Sequence, residues 1–175
     1  MTEEAFLAGI RKMQKEDREG LKEIYEAYFP YIFKIVNEIL QNREDAEDVT
    51  QEFFIRLYRV ASMYKEGSGH KGWMATIARN LALDHIRKYS REEAVEEMED
   101  YATETINGPE SEVVGDMVIE QALNLLQDVD RQIVAMKVLG DMKFREIADV
   151  LKMPLGTVTW RYQSAMKLLR RCGFE

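Results

Sequence analysis

The stretch FREIADVLKMPLGTVTWRYQSAMKLLRR, residues 144–171, decides the fold. Phe144, Ile147, Ala148 and Leu151 recur at i, i+3, i+4 and i+7, which gives a short helix one apolar face. Lys152-Met153-Pro154 ends it, and Pro154 suits the first turn of a new helix, where its missing N–H costs nothing. On that second helix Val158, Tyr162, Ala165 and Leu169 share the inner face. Trp160, Gln163, Ser164, Lys167 and Arg171 lie opposite. Short helix, tight turn and longer helix with a polar and basic outer face are the parts of a helix-turn-helix. Its second helix would enter the major groove, and small Ala148 lets the two helices pack closely. A helical hairpin with a solvated basic face is the competing reading.

Upstream of this unit, helix formers dominate and strand-like alternation is absent. The expected fold is all-α, with two small helical domains joined by an acidic linker. An N-terminal bundle covers 1–91, a linker 92–111 and a four-helix domain 112–175. Helices are expected over 3–15, from Asp17 through Tyr28 with an interruption at Pro30, from Ile32 to Ile39, from Asn42 to about Ala61, and from about Lys71 to Ser90. Those of the second domain span roughly 112–127, 130–139, 143–151 and 154–171. Gly67-Ser68-Gly69 makes a loop.

Charge is unevenly placed. The chain of 175 residues carries a formal −8. Residues 92–116 hold ten acidic residues and no Lys or Arg, which leaves the remainder at +2. From Lys137 to Arg171, eight basic residues face three acidic ones. Asn107-Gly108-Pro109 breaks any helix in the acidic segment, as a linker requires. A single cysteine, Cys172, excludes an internal disulfide and fits a reducing cytoplasm. No stretch approaches the roughly 18 apolar residues of a membrane span.

Two further surfaces stand out in the N-terminal domain. On the helix from Arg43, Ala46, Val49, Phe53, Leu57 and Val60 form the core stripe. Asp48, Gln51, Ile55, Tyr58 and Arg59 face outward with Phe54 at the edge, a mixture that suits protein docking. Packing of Ile55 and Tyr58 against another helix fits equally well. After the glycine loop, Trp73, Asn80, Asp84, Arg87 and Arg91 line one stripe, with Lys88 beside them. Aromatic, amide and basic groups in line suit single-stranded nucleic acid, where bases stack and cations track phosphates. A core tryptophan with a solvated basic helix end is the alternative.

Taken in order, DAEDVTQEFF (45–54), GWMATIARN (72–80) with DHIRK (84–88), EIA (146–148) and GTV (156–158) resemble the extracytoplasmic-function sigma factors over about residues 20–171. The resemblance implies that Asp48, Gln51, Glu52 and Ile55 bind core RNA polymerase. It implies that Trp73, Asn80, Asp84, Arg87 and Lys88 open and read the minus-ten element, with Asn80 holding a flipped base. It further implies that Thr157, Thr159, Trp160, Arg161, Gln163, Ser164 and Lys167 read the minus-thirty-five element, and that an anti-sigma factor is a partner. Thr159, Trp160 and Ser164 depart from the family's more basic pattern, and His70 or Lys71 replaces its usual aromatic residue.

An enzyme is not expected. Only two histidines, no cysteine pair, no phosphate-binding loop and no dinucleotide glycine motif are present, and no cofactor or metal is implied. A helix-turn-helix regulator acting on duplex DNA without polymerase, and a sigma-like protein unable to melt DNA, remain as rivals. Weak DNA binding by the free, cytoplasmic protein is expected, since its net charge is negative and a linker separates its reading surfaces.

Overall fold

The computed structural model describes residues 1–96 and 121–174. Its helices are α1 (Glu3–Gln14), α2 (Glu19–Leu40), α3 (Arg43–Val60), α4 (His70–Glu96), α5 (Asp128–Val134), α6 (Phe144–Leu151) and α7 (Leu155–Arg171). A 3-10 turn, Ala61–Met63, follows α3, and a π turn, Ala135–Leu139, extends α5. Among the described residues there is no strand, as the pattern predicted. Most of the acidic segment, and most of the helix expected over 112–127, lie outside the described residues. The backbone of α4 continues past Ser90 to Glu96, into the first acidic positions.

The starts of α1 and α3 have side-chain caps. The Thr2 hydroxyl accepts from the Ala5 amide at the head of α1. Asn42 caps α3, accepting from the amides of Glu44 and Asp45 at 3.0 and 3.2 Å, and both of those carboxylates favour the positive helix end. Such a cap contributes about 1 kcal/mol. The expected interruption at Pro30 does not occur, because α2 runs unbroken through it. Proline removes one helix hydrogen bond and crowds the preceding turn. Here Ile24, Tyr28, Ile32, Ile35 and Val36 are buried along one face, and their packing outweighs that cost.

The first core joins α1 to α4. Phe6, Ile10, Ile24, Ile32, Val36, Phe53, Leu57 and Met74 are buried in one cluster. Phe54, expected at an edge, is buried against Tyr25 and Phe29 instead. Helices α1 and α2 touch backbone to backbone: a Cβ at Gly20 would lie 2.3 Å from the Gly9 carbonyl oxygen. His70 opens α4 inside this core. Its ring stacks on Phe6 at 4.8 Å, and its Nε2 shares a 2.5 Å hydrogen bond with the Tyr28 hydroxyl. Of the two residues that depart from the family's usual aromatic side chain, His70 and Lys71, it is His70 whose ring packs in this core.

The second bundle packs directly on the first. Ile35 of α2 and Ala75 of α4 are buried in one cluster with Ile133, Met136, Met142, Ile147 and Val158. Lys71 Nζ donates to the Gly140 carbonyl at 3.3 Å, and Arg79 Nε to Gln132 Oε1 at 3.4 Å. Gly140 is required there, because a Cβ would meet the Tyr31 ring at 2.8 Å. Burial pushes the Tyr31 hydroxyl far above its ordinary range, and it donates to the Lys71 carbonyl. This docking is a property of the fold that the sequence pattern did not indicate.

Two outcomes follow. Burial holds the His70 imidazole below its ordinary pKa, with the Glu3 carboxylate acting weakly the other way. As pH falls through about 6.5, the unfolded chain takes up a proton that the folded one resists, so stability is full above that pH and declines below it. The melting temperature is expected to drop between pH 7.5 and 5.5, and His70→Gln to reduce the drop; an equal drop in the variant refutes the assignment. Ala75→Glu places a charge in the joint cluster. It should raise the radius of gyration in X-ray scattering while leaving helicity unchanged.

Candidate nucleic-acid interface

Three surfaces carry the predicted residues. On α3, Asp48, Gln51, Glu52 and Ile55 are all exposed, and their spacing of three, one and three puts them on one stripe. Ile55 is 56% exposed, more than a lone aliphatic side chain on a capped, well-packed helix requires. It borders a cleft of ≈ 350 Å³ lined by Arg18, Leu21, Ile55, Tyr58 and Arg59. Arg18 and Leu21 come from the head of α2. Sequence reading missed them because Leu21 sits in register with the buried residues of its helix. Charged stripe and apolar cleft together form a face suited to a helical protein partner.

On α4, the small residues Ala75, Ala78 and Ala82 are buried, which turns the opposite stripe outward. Asn80, Asp84, Arg87 and Lys88 are exposed along it. Arg87 Nη1 meets Asp84 Oδ1 at 3.0 Å, a solvent-screened pair that exchanges readily for another anion. Trp73 shares the stripe, but its ring is half-buried beside Tyr64 at 5.0 Å and Phe6 at 6.5 Å. The tryptophan therefore anchors the upper end of the stripe, while the amide and the cations stay exposed. His85 sits on the flank, its Nε2 3.5 Å from Asp45 Oδ1 at the head of α3.

The helix-turn-helix forms as its pattern predicts. Lys152 takes the left-handed conformation, φ 53°, and the Met153 amide donates back to the Ala148 carbonyl, which closes α6. Ile147, Ala148, Val158, Ala165 and Leu169 are buried. The seven residues predicted to face DNA separate into two groups. Trp160, Gln163, Ser164 and Lys167 are exposed. Thr157 is half-buried, the Thr159 hydroxyl donates to the carbonyls of Leu155 and Gly156, and Arg161 Nη1 donates to Asp130 Oδ1 at 2.8 Å. Among the described residues no group of acidic, histidine and cysteine side chains suits a metal, and no helix is long and apolar enough to cross a membrane.

Comparison with known proteins matches these parts in order. The family model for Sigma-70 region 2 covers residues 24–92, and that for Sigma-70 region 4 covers residues 116–169. The extracytoplasmic-function (ECF) RNA polymerase sigma factor SigW of Bacillus subtilis is 28% identical over 174 residues, spanning 93% of each chain. The ECF sigma factor SigK of Mycobacterium tuberculosis (strain H37Rv) is 26% identical over 173 residues, spanning 93% of this chain and 90% of that one. Two solved structures share the fold. One is the sigma factor RpoE in complex with the anti-sigma factor NepR from Bartonella quintana, with TM-score 0.69, 20% identity, and 86% of this chain and 94% of that one covered. The other is CnrH in complex with the cytosolic domain of CnrY, with TM-score 0.68, 15% identity and 96% of each chain covered.

Proposed function

This chain belongs to the extracytoplasmic-function sigma factors, which direct promoter recognition by RNA polymerase, and we propose that three of its surfaces divide that task. The α3 stripe of Asp48, Gln51, Glu52 and Ile55, with the adjoining cleft, docks on core polymerase. The α4 stripe takes the minus-ten element, Asn80 holding an extruded base while Arg87 and Lys88 track the strand's phosphates. Trp73 fixes that stripe against Tyr64. The outer face of α7 enters the major groove of the minus-thirty-five element. The chemistry stays with the polymerase; this protein supplies binding and orientation, needs no cofactor and works in the cytoplasm. An anti-sigma factor restrains it, as NepR and CnrY accompany the two structural neighbours.

The observation that carries this reading is the alignment of the exposed amide and cation stripe of α4 with an intact helix-turn-helix in one chain. A duplex-binding regulator has no use for Asn80 and the α3 stripe. Unassisted DNA binding is weak because the chain is net negative and the phosphate-facing cations are few, so polymerase must supply additional contacts.

The test is transcription by bacterial core polymerase on a promoter pool, with and without this protein. Promoter-specific transcripts are expected only with it. Ile55→Glu should weaken core binding at least tenfold without unfolding the chain, since the side chain is exposed. Asn80→Ala should leave core binding intact and cut open-complex formation about tenfold or more, read by permanganate reactivity of unpaired thymines. Unchanged opening in Asn80→Ala, with core binding retained, would favour a polymerase-binding protein that does not melt DNA.

A further inference from the structure

The partners of the α7 side chains restrict what this helix can read. From Leu155 to Ser164 the sole cationic residue is Arg161. Its guanidinium is held by Asp130, and the two side chains are only 30% and 21% exposed. Asp130 lies in the first turn of α5, so the pair bolts α7 to α5. Drawing Arg161 out to a base would strand a part-buried carboxylate without its counter-charge. Arg161 also sits on the flank of α7, beside the line of Val158, Ala165 and Leu169 that faces the core. Thr159 is no free reader either, because its hydroxyl is engaged by its own helix at 3.0 Å.

What faces outward in the leading turns is Leu155, Gly156, Trp160, Gln163 and Ser164, with Leu155 at the very start of the helix. Trp160 is 65% exposed. Cations return only at Lys167, Arg170 and Arg171, towards the far end, where they suit phosphates rather than base edges. In the major groove a guanine is read by Arg or Lys on O6 and N7, an adenine by Asn or Gln on N6 and N7, and a thymine by apolar contact with its methyl group. With Arg161 withheld, the leading turns contain an adenine reader and an apolar plate, and no guanine reader.

We propose that Trp160 and Gln163 set the upstream specificity of this sigma factor and that they recognise A·T pairs, Gln163 through adenine N6 and N7 and Trp160 through a thymine methyl. Arg161 is a positioning residue that holds α7 on α5. The proposal rests on α7 being the reader of the upstream element.

The test uses core polymerase reconstituted with the full-length protein. A pool of duplex promoters randomised over both elements is transcribed, and a recovered template is then changed one base pair at a time. Replacing the relevant thymine by uracil, which removes only the methyl group, should lower wild-type transcription several-fold and leave Trp160→Ala unaffected. Replacing the relevant adenine by guanine should cost wild type about 5- to 150-fold, and Gln163→Ala far less. Arg161→Lys should keep both preferences. Ratios between templates are taken within one variant, so a loss common to all templates does not enter. A dominant G·C position whose preference disappears in Arg161→Ala would overturn the proposal. Unchanged preferences in both Trp160→Ala and Gln163→Ala would also overturn it, and would leave Trp160 as a protein contact. Transcription indifferent to every upstream change would instead remove α7 as the upstream reader, and the proposal with it.

Discussion

The burial of a small-residue face on α4 governs the molecule. Ala75, Ala78 and Ala82 recur at spacings of three and four, and Met74 adds one long side chain at the head of the line. Side chains this short let α2 and α3 approach closely on one side and the second bundle on the other. One helix therefore bears two interfaces and still has a free stripe. Larger residues at these positions would thicken the contact, and the rotation that turns Asn80, Asp84, Arg87 and Lys88 outward would change with it. His70 and Trp73 fix the same helix at its head through Phe6, Tyr28 and Tyr64. The geometry of the α4 stripe is thus set by packing on the far side of its own helix.

Periodicity revealed most of this. The α3 stripe, the α4 stripe and the helix-turn-helix each depend on spacings of three and four along one helix, and such spacings are visible in a linear string. Pairings between helices are not. Arg161 and Asp130 are far apart in sequence, and nothing in the local pattern says that the guanidinium faces α5 rather than DNA. The same holds for Leu21, which keeps helical register with buried Ile24 and Tyr28 yet lines the cleft beside Ile55. Pro30 misled for a related reason. A local rule set the break, and the long apolar face of α2, buried over its whole length, overrode it. Gly20 and Gly140 carried no readable signal, since their need arises from a neighbouring carbonyl and a neighbouring ring.

The overall charge of −8 conceals the electrostatic design. Acidic residues are concentrated in the sequence over 92–116, while exposed cations lie on two helices: Arg87 and Lys88 on α4, Lys167, Arg170 and Arg171 on α7. Few cations on each surface limit counter-ion release and hence indiscriminate affinity for DNA. Selection among promoters then depends more on base contacts and on the geometry imposed by polymerase. The α3 face, with Asp48 and Glu52 exposed, carries charge of the sign that nucleic acid repels.

The union of the two bundles is small, and this matters for how they are used. From the first bundle only Ile35 and Ala75 are fully buried in the joint cluster, with Tyr31 and Ile39 partly so. The polar links are long, 3.3 Å for Lys71 and 3.4 Å for Arg79, and the Lys71–Asp141 ion pair is longer still at 3.8 Å. Domains joined within one chain move relative to one another by default unless a large apolar interface holds them. Among the described residues, a partner that grips both bundles in a different arrangement has to replace these apolar contacts, two hydrogen bonds and one ion pair. Each bundle keeps its own core in that exchange: Phe6, Phe53 and Leu57 in one, Leu123, Leu126 and Leu169 in the other. The α4 stripe and the outer face of α7 are thus each anchored on a separate core, and a change in the union between the bundles need not rebuild either.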